Sequence, residues 1–245
     1  MTFSKLNYHL FDNVIYNPIA QQYLAFGFTV FTVLALGIDS VFFTKNLFDA
    51  RIVVNVAAVV YFFLMFFSAE VYLRKLMFVM VILSYLGELI FCKLLQMYDY
   101  RTTMIPLYVP FGHAIVYASG YIFAHTKWAL QNERKLRIFF AVFFVLLFLT
   151  VGLLFNDIFS LVFALPFFLL LKRKRWQNLY YFIALCVIFI ELVGTYFGCW
   201  KWVPKTFGLI PAVNPPMGAV FFYAGGDVLL VRIVAAWDQR KSRKI

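Results

Sequence analysis

Three acids, Glu88, Glu191 and Asp227, stand in stretches otherwise built to avoid charge, and His113 lies among them in sequence. Burial favours the neutral form of a carboxyl, and a neutral acid can hand a proton to an apolar double bond. A second carboxylate, or His113, can then remove a proton or activate water. An ionisable group at mid-membrane costs about 2.5–3.5 kcal/mol on insertion scales, which marks these residues as candidates for catalysis. The alternative for each acid is a buried interhelical hydrogen bond, and for His113 a bond to a neighbouring carbonyl.

The acids belong to a pattern that occurs twice. Glu88 is followed by Tyr98, Tyr100, Ile105-Pro106, Pro110-Phe111-Gly112, Tyr117-Ala118 and Gly120. Glu191 is followed by Trp200, Trp202, Ile210-Pro211, Pro216-Met217-Gly218, Tyr223-Ala224 and Gly226. The frame Pro-x-Gly-x4-Tyr-Ala-x-Gly matches without a gap. Two similar halves, each with a costly acid, imply one shared site between them. Tyr98, Tyr100, Tyr117, Trp200, Trp202, Asn214 and Tyr223 are the expected substrate-binding residues around it. His113 aligns with Ala219 and Asp227 with Tyr121, so the expected site is asymmetric.

The elements that must carry these residues follow from composition. Of 245 residues, 64% are hydrophobic, 21% aromatic and only 13% charged, too few polar groups to cover a water-soluble core. The expected fold is an all-α polytopic membrane bundle of about eight transmembrane helices, arranged as two parallel repeats of four. Apolar runs place the spans near 22–43, 52–69, 76–97, 106–126, 136–155, 158–171, 178–199 and 211–236, the sixth being short. Repeat 1 covers 22–126 and repeat 2 covers 136–237. Residues 1–21 read as an interfacial helix on the inner leaflet, with no signal-peptide core, and 238–245 as a basic cytoplasmic tail.

Counting ten residues from Glu88 to Tyr98, and nine from Glu191 to Trp200, sets both acids on the order of 14 Å below the outer interface. The aromatic pairs then fit an outer belt, and Trp128, Trp176 and Trp237 an inner one. Sixteen of the 22 Lys and Arg residues fall on one side of an eight-span layout, which puts both termini in the cytoplasm. The expected location is a bacterial inner membrane. The net charge of +11 reflects this topology and anionic headgroups, not nucleic acid. Pro106, Pro110, Pro211, Pro215 and Pro216 interrupt the approach to the fourth and eighth spans, so regular helix is expected only from near Pro110 and Pro216. Ordinary loops with proline-capped helices are the plainer alternative.

Three His are too few for a histidine-rich iron site, and no His-Glu-x-x-His stretch suggests zinc. Neither a Gly-x-Ser-x-Gly elbow nor a nucleotide loop is present. No metal or cofactor is expected. Cys92, Cys186 and Cys199 read as small hydrophobes.

The stretch Glu191-x-x-Gly194-Thr195-x-x-Gly198, then Trp200, Trp202 and Ile210-Pro211, resembles the signature of integral-membrane carotenoid-biosynthesis proteins of the bisanhydrobacterioruberin hydratase type. An echo runs from Glu88 to Pro110. Tyrosines stand in that family where this chain has Trp200 and Trp202. The resemblance implies a polyene or isoprenoid substrate and acid-initiated addition of water or ring closure, and assigns no catalytic residue. Residues and resemblance together lead to an expected enzyme on a lipid-soluble, isoprenoid or carotenoid-like molecule drawn from the bilayer. A proton-coupled transporter with a central carboxylate site is the alternative.

Overall fold

Without water to satisfy backbone N–H and C=O groups, apolar chain in lipid has to coil upon itself, and helices dominate this structure. The computed structural model describes residues 18–172, 174 and 176–242. Its helices are α1 (Pro18–Ile38), α2 (Val41–Asn46), α3 (Arg51–Ser68), α4 (Val71–Glu88), α5 (Tyr108–Ala124), α6 (Lys127–Gln131), α7 (Glu133–Leu154), α8 (Ile158–Lys172), α9 (Gln177–Tyr196) and α10 (Val220–Ser242). Six stretches are long and apolar enough to cross a bilayer: Pro18–Asn46, Arg51–Ser68, Val71–Leu94, Glu133–Leu154, Gln177–Tyr196 and Met217–Arg240. The molecule is thus an all-α membrane bundle. The fourth and sixth expected spans are shorter helices, α5 of 17 residues and α8 of 15.

Position explains the shortness of α5. It packs against α1, α3, α4 and α9, with Ala114, Tyr117, Ala118 and Gly120 buried, so protein surrounds it where lipid would otherwise demand length. At Gly120 a Cβ would come within 2.7 Å of the Ile183 Cα, so only glycine allows α5 and α9 to approach this closely. The helix begins at Tyr108, two residues ahead of Pro110, because a first-turn proline lacks only an N–H that had no intrahelical acceptor. In the second copy the irregular chain continues further: a short 3-10 turn, Met217–Ala219, precedes α10. The buried Asp157 and Ser160 anchor that turn, with Ser160 Oγ donating to Asp157 and accepting the Gly218 N–H at 2.7 Å.

Polar side chains secure the element ends. Arg74, 4% exposed, donates to the carbonyls of Ala69 (2.9 Å) and Phe67, satisfying acceptors at the C-terminus of α3. Ser40 caps α2 by accepting the Phe43 N–H at 3.0 Å, so the first span breaks at Asp39.

Two features depart from a purely helical chain. After Glu88 the helix widens into a π-turn, Leu89–Leu94. The connections beyond α4 and α9 contain strands: β1 (Tyr98–Tyr100) pairs antiparallel with β2 (Trp200–Trp202), and β3 (Lys205–Thr206) pairs with β4 (Ile210–Pro211). The expected interfacial helix, residues 1–21, lies outside the described residues apart from 18–21, which begin α1. The expected tail is helical through Ser242, and 243–245 lie outside the described residues.

Candidate functional site: a paired-carboxylate centre

The ribbon formed by β1 and β2 builds the site. In register, Tyr98 faces Trp202 and Tyr100 faces Trp200, with Asp99 opposite Lys201 between them. Because side chains alternate along a strand, the four aromatics share one face and the exposed Asp99 and Lys201 the other. That aromatic face lies over both glutamates.

Glu88 Oε2 accepts the hydroxyls of Tyr98 (2.9 Å) and Tyr100 (2.8 Å), and its Oε1 lies 3.2 Å from His113 Nε2. Glu191 Oε2 accepts the indole N–H groups of Trp200 (2.9 Å) and Trp202 (3.0 Å), and its Oε1 accepts the Tyr223 hydroxyl at 2.9 Å. Each acid therefore meets two aromatics from its own following strand and one ring from the helix beyond. The His113 and Tyr223 rings stack on each other, centroids 5.2 Å apart and planes 14° from parallel. A chain of contacts thus runs Glu88, His113, Tyr223, Glu191.

Local geometry explains how the chain returns to its own acid. The π-turn and the left-handed Gln96 (φ 50°) reverse it after Glu88, while Gly198 (φ +69°) reverses it after Glu191. At Gly194 a Cβ would collide with the Trp200 ring, so that glycine makes room for the indole. The count that set both acids on the order of 14 Å below the outer interface assumed straight helix as far as Tyr98 and Trp200, whereas the chain turns back before them. The outer-belt expectation is corrected: Tyr98, Trp200 and Trp202 are 9%, 8% and 5% exposed and turn inward.

Two small cavities meet at this centre. One, of about 100 Å³, has Glu88, His113, Tyr98, Tyr223 and Asp227 in its wall, with an otherwise largely apolar lining that includes Met80, Leu83, Phe91 and Phe222. The other, of about 60 Å³, is lined by both Glu88 and Glu191 together with Tyr98, Tyr100, Trp200, His113 and Tyr223. Glu88, Tyr98, His113 and Tyr223 belong to both walls. Asp227 is 3% exposed and its Oδ2 has no hydrogen-bond partner among the described residues.

Two expected binding residues stand elsewhere. Tyr117 lies one turn beyond His113, lines neither cavity, and its buried hydroxyl has no partner among the described residues. Asn214 accepts the Trp202 backbone N–H at 2.9 Å, so it braces β2, and its own exposure is to an outer groove.

Sequence reading missed the outer clamp. Asp39, 1% exposed, binds Arg101 Nη2 at 2.7 Å and accepts the Tyr108 hydroxyl at 2.8 Å; Arg101 also reaches Asp49 at 3.1 Å. Tyr108 lines the smaller cavity, so the clamp borders the site. An acid closing an apolar run, as Asp39 does, was the available signal. Asp49 lies in the loop before α3, and the Arg51 side chain and backbone N–H, then Arg101, hold its carboxyl down at about 2. Among the described residues no group of three or more His, Cys, Asp and Glu is placed to hold a metal ion, and the three cysteines are free and buried.

Fold and site together define a helical membrane protein with a paired-carboxylate centre under an aromatic ribbon. No protein-family profile, curated protein or solved structure matches the chain. The likeness to carotenoid-biosynthesis proteins therefore rests on the residues quoted for it.

Proposed function

We propose that this protein is a membrane-embedded enzyme that acts on a lipid-soluble, isoprenoid or carotenoid-like substrate by carboxylate acid–base chemistry. The observation that carries this reading is that Glu88 and Glu191, far apart in sequence, line one small cavity with His113 and Tyr223 stacked between them. Paired titratable groups held by different partners in a cleft are the usual setting of acid–base work. The adjoining apolar cavity suits the end of a hydrocarbon chain. At about 100 Å³ it is of the order that holds one small ring, so the remainder of a long substrate would lie outside it.

In this reaction a neutral carboxyl gives its proton to one carbon of a double bond. The π electron pair forms the new C–H bond and leaves a carbocation on the neighbouring carbon. Water, or a second double bond of the same molecule, attacks that carbon; loss of one proton then completes an alcohol or a ring and returns the proton to the acid. Aromatic faces of the ribbon, with Phe91 and Phe222, would stabilise the passing cation.

The same proposal includes eight crossings, α5 and α8 among them, in two parallel halves. It places both termini in the cytoplasm of a bacterial inner membrane, on the strength of the charge bias.

Mass spectrometry of lipid and pigment extracts tests the function, comparing cells that carry the wild-type chain, the Glu88→Gln chain and no chain. The expected result is a hydrated or cyclised isoprenoid present only with the wild type. Identical profiles in all three sink the reading.

A further inference from the structure

The two carboxylates are equivalent in position but not in the chemistry of their partners. Around Glu191 two of the three partners are donors with nothing to accept in return. The Trp200 and Trp202 indoles have an N–H and no lone pair. The part-buried Tyr223 has a hydroxyl that can also accept, but Glu191 is the one acceptor its O–H has among the described residues, so turning it would give up that bond. A proton on Glu191 would therefore displace one of three good hydrogen bonds.

Glu88 sits in a different set. Tyr98 and Tyr100 both donate to Oε2, which leaves Oε1 facing His113 Nε2 at 3.2 Å. An imidazole nitrogen either donates or accepts, according to its tautomer. A protonated Glu88 thus loses nothing: Oε2 keeps both tyrosines and Oε1–H donates to His113. Such an arrangement moves a proton between Glu88 and His113 with little rearrangement, and the stack on Tyr223 places any charge on His113 next to Glu191.

We infer a division of labour that rests on the function proposed above: Glu88, coupled to His113, is the group that exchanges protons with substrate, and Glu191 is a fixed negative charge in a cradle of three donors that balances the carbocation. The exchange of Tyr98 and Tyr100 for Trp200 and Trp202 between the two copies is what specialises them. Glu88 breaks its O–H bond to form the substrate C–H bond and recovers the proton, directly or through His113, when the cation is quenched. Glu191 forms and breaks no bond.

Infrared difference spectra at neutral pH test the assignment on the full chain in lipid vesicles, with no ligand added. Wild type minus Glu88→Gln is expected to show a protonated carboxyl C=O stretch that shifts in D2O. Wild type minus Glu191→Gln is expected to show the symmetric and antisymmetric stretches of a carboxylate. Glutamine still accepts from the tyrosines and indoles, and thermal unfolding of each variant checks that it is folded. If either variant fails to fold, selective isotope labelling of glutamate carboxyls in wild type, read with Tyr223→Phe, gives the same comparison. A protonated carboxyl at Glu191, or two carboxylates, overturns the inference.

Product formation in the same cells separates this inference from the function beneath it. Glu88→Gln is expected to lower product by about 10²–10⁴-fold, the usual worth of a general acid. The spectra as expected but no product from wild type would overturn the enzyme reading and leave the charge assignment standing. Product lost in Glu88→Gln with a protonated Glu191 would do the reverse.

Discussion

At the scale of single residues, the site depends as much on two glycines as on its acids. Gly194 leaves the space that the Trp200 ring fills, and Gly198 adopts a left-handed turn at φ +69°. Gly194→Ala forces the indole out of its seat, and the expected cost is about 1–3 kcal/mol, the usual range for overpacking. Thermal unfolding in detergent measures it, and an unchanged melting temperature would show that the ring has room to move. Asp49 provides a pH handle outside the membrane. Its carboxyl titrates near 2 in the folded chain against an ordinary 3.8, so the Arg51 and Arg101 contacts contribute fully above about 3.8 and are lost as pH falls toward 2. Asp49→Asn should remove that part of the acid sensitivity, seen as a flatter stability profile across this window. Which residues carry charge at depth was legible from sequence, because an isolated Glu in an apolar run is conspicuous. Their partners were not, since hydrogen bonds such as Trp200 to Glu191 depend on two chain reversals that periodicity does not report. Tyr117 illustrates the limit: the repeat aligns it with Tyr223, yet His113, whose counterpart is Ala219, takes the place beside the acid.

At the scale of elements, the apolar runs located the helices well and the prolines gave irregular chain before Pro110 and Pro216, but nothing in the sequence pointed to the strands within those connections. β1 and β2 are three residues each, too short for an alternation signal, and they form only because the two partners are brought together by α4 and α9. The π-turn at Leu89–Leu94 is likewise invisible in composition, since its residues suit an α-helix equally well. Helices α4 and α10 enclose the larger cavity, and along it α10 presents Gly226, where a Cβ would meet no atom within 4 Å. Gly226→Ala should therefore keep its product, whereas Gly226→Leu should fill a cavity of about 100 Å³ and abolish product formation in a folded protein. Product from the Leu variant, measured by mass spectrometry, would show that substrate does not occupy that space.

At the scale of the whole molecule, composition alone identified the membrane, because 64% hydrophobic residues leave no other solvent for the surface. It showed the sixth span, α8, to be short but could not foresee that α5 also falls short of a full span, since length in lipid depends on whether neighbours shield a helix. The proposed orientation is testable with single cysteines, the native three being buried. A cysteine at the exposed Lys45 should react with a membrane-impermeant maleimide on intact spheroplasts, and one at the exposed Lys127 only after permeabilisation. The opposite pattern would invert the topology.

The pairing of Tyr98–Tyr100 with Trp200–Trp202 also limits how the protein can move. Main-chain hydrogen bonds stitch the segment after α4 to the segment after α9, and the rings beneath that seam are riveted to Glu88 and Glu191. Swinging one half against the other would tear ladder and rivets together, so that end behaves as a pivot. Any breathing that admits a greasy guest has to happen sideways between helices or at the opposite end, with the charged centre held still throughout.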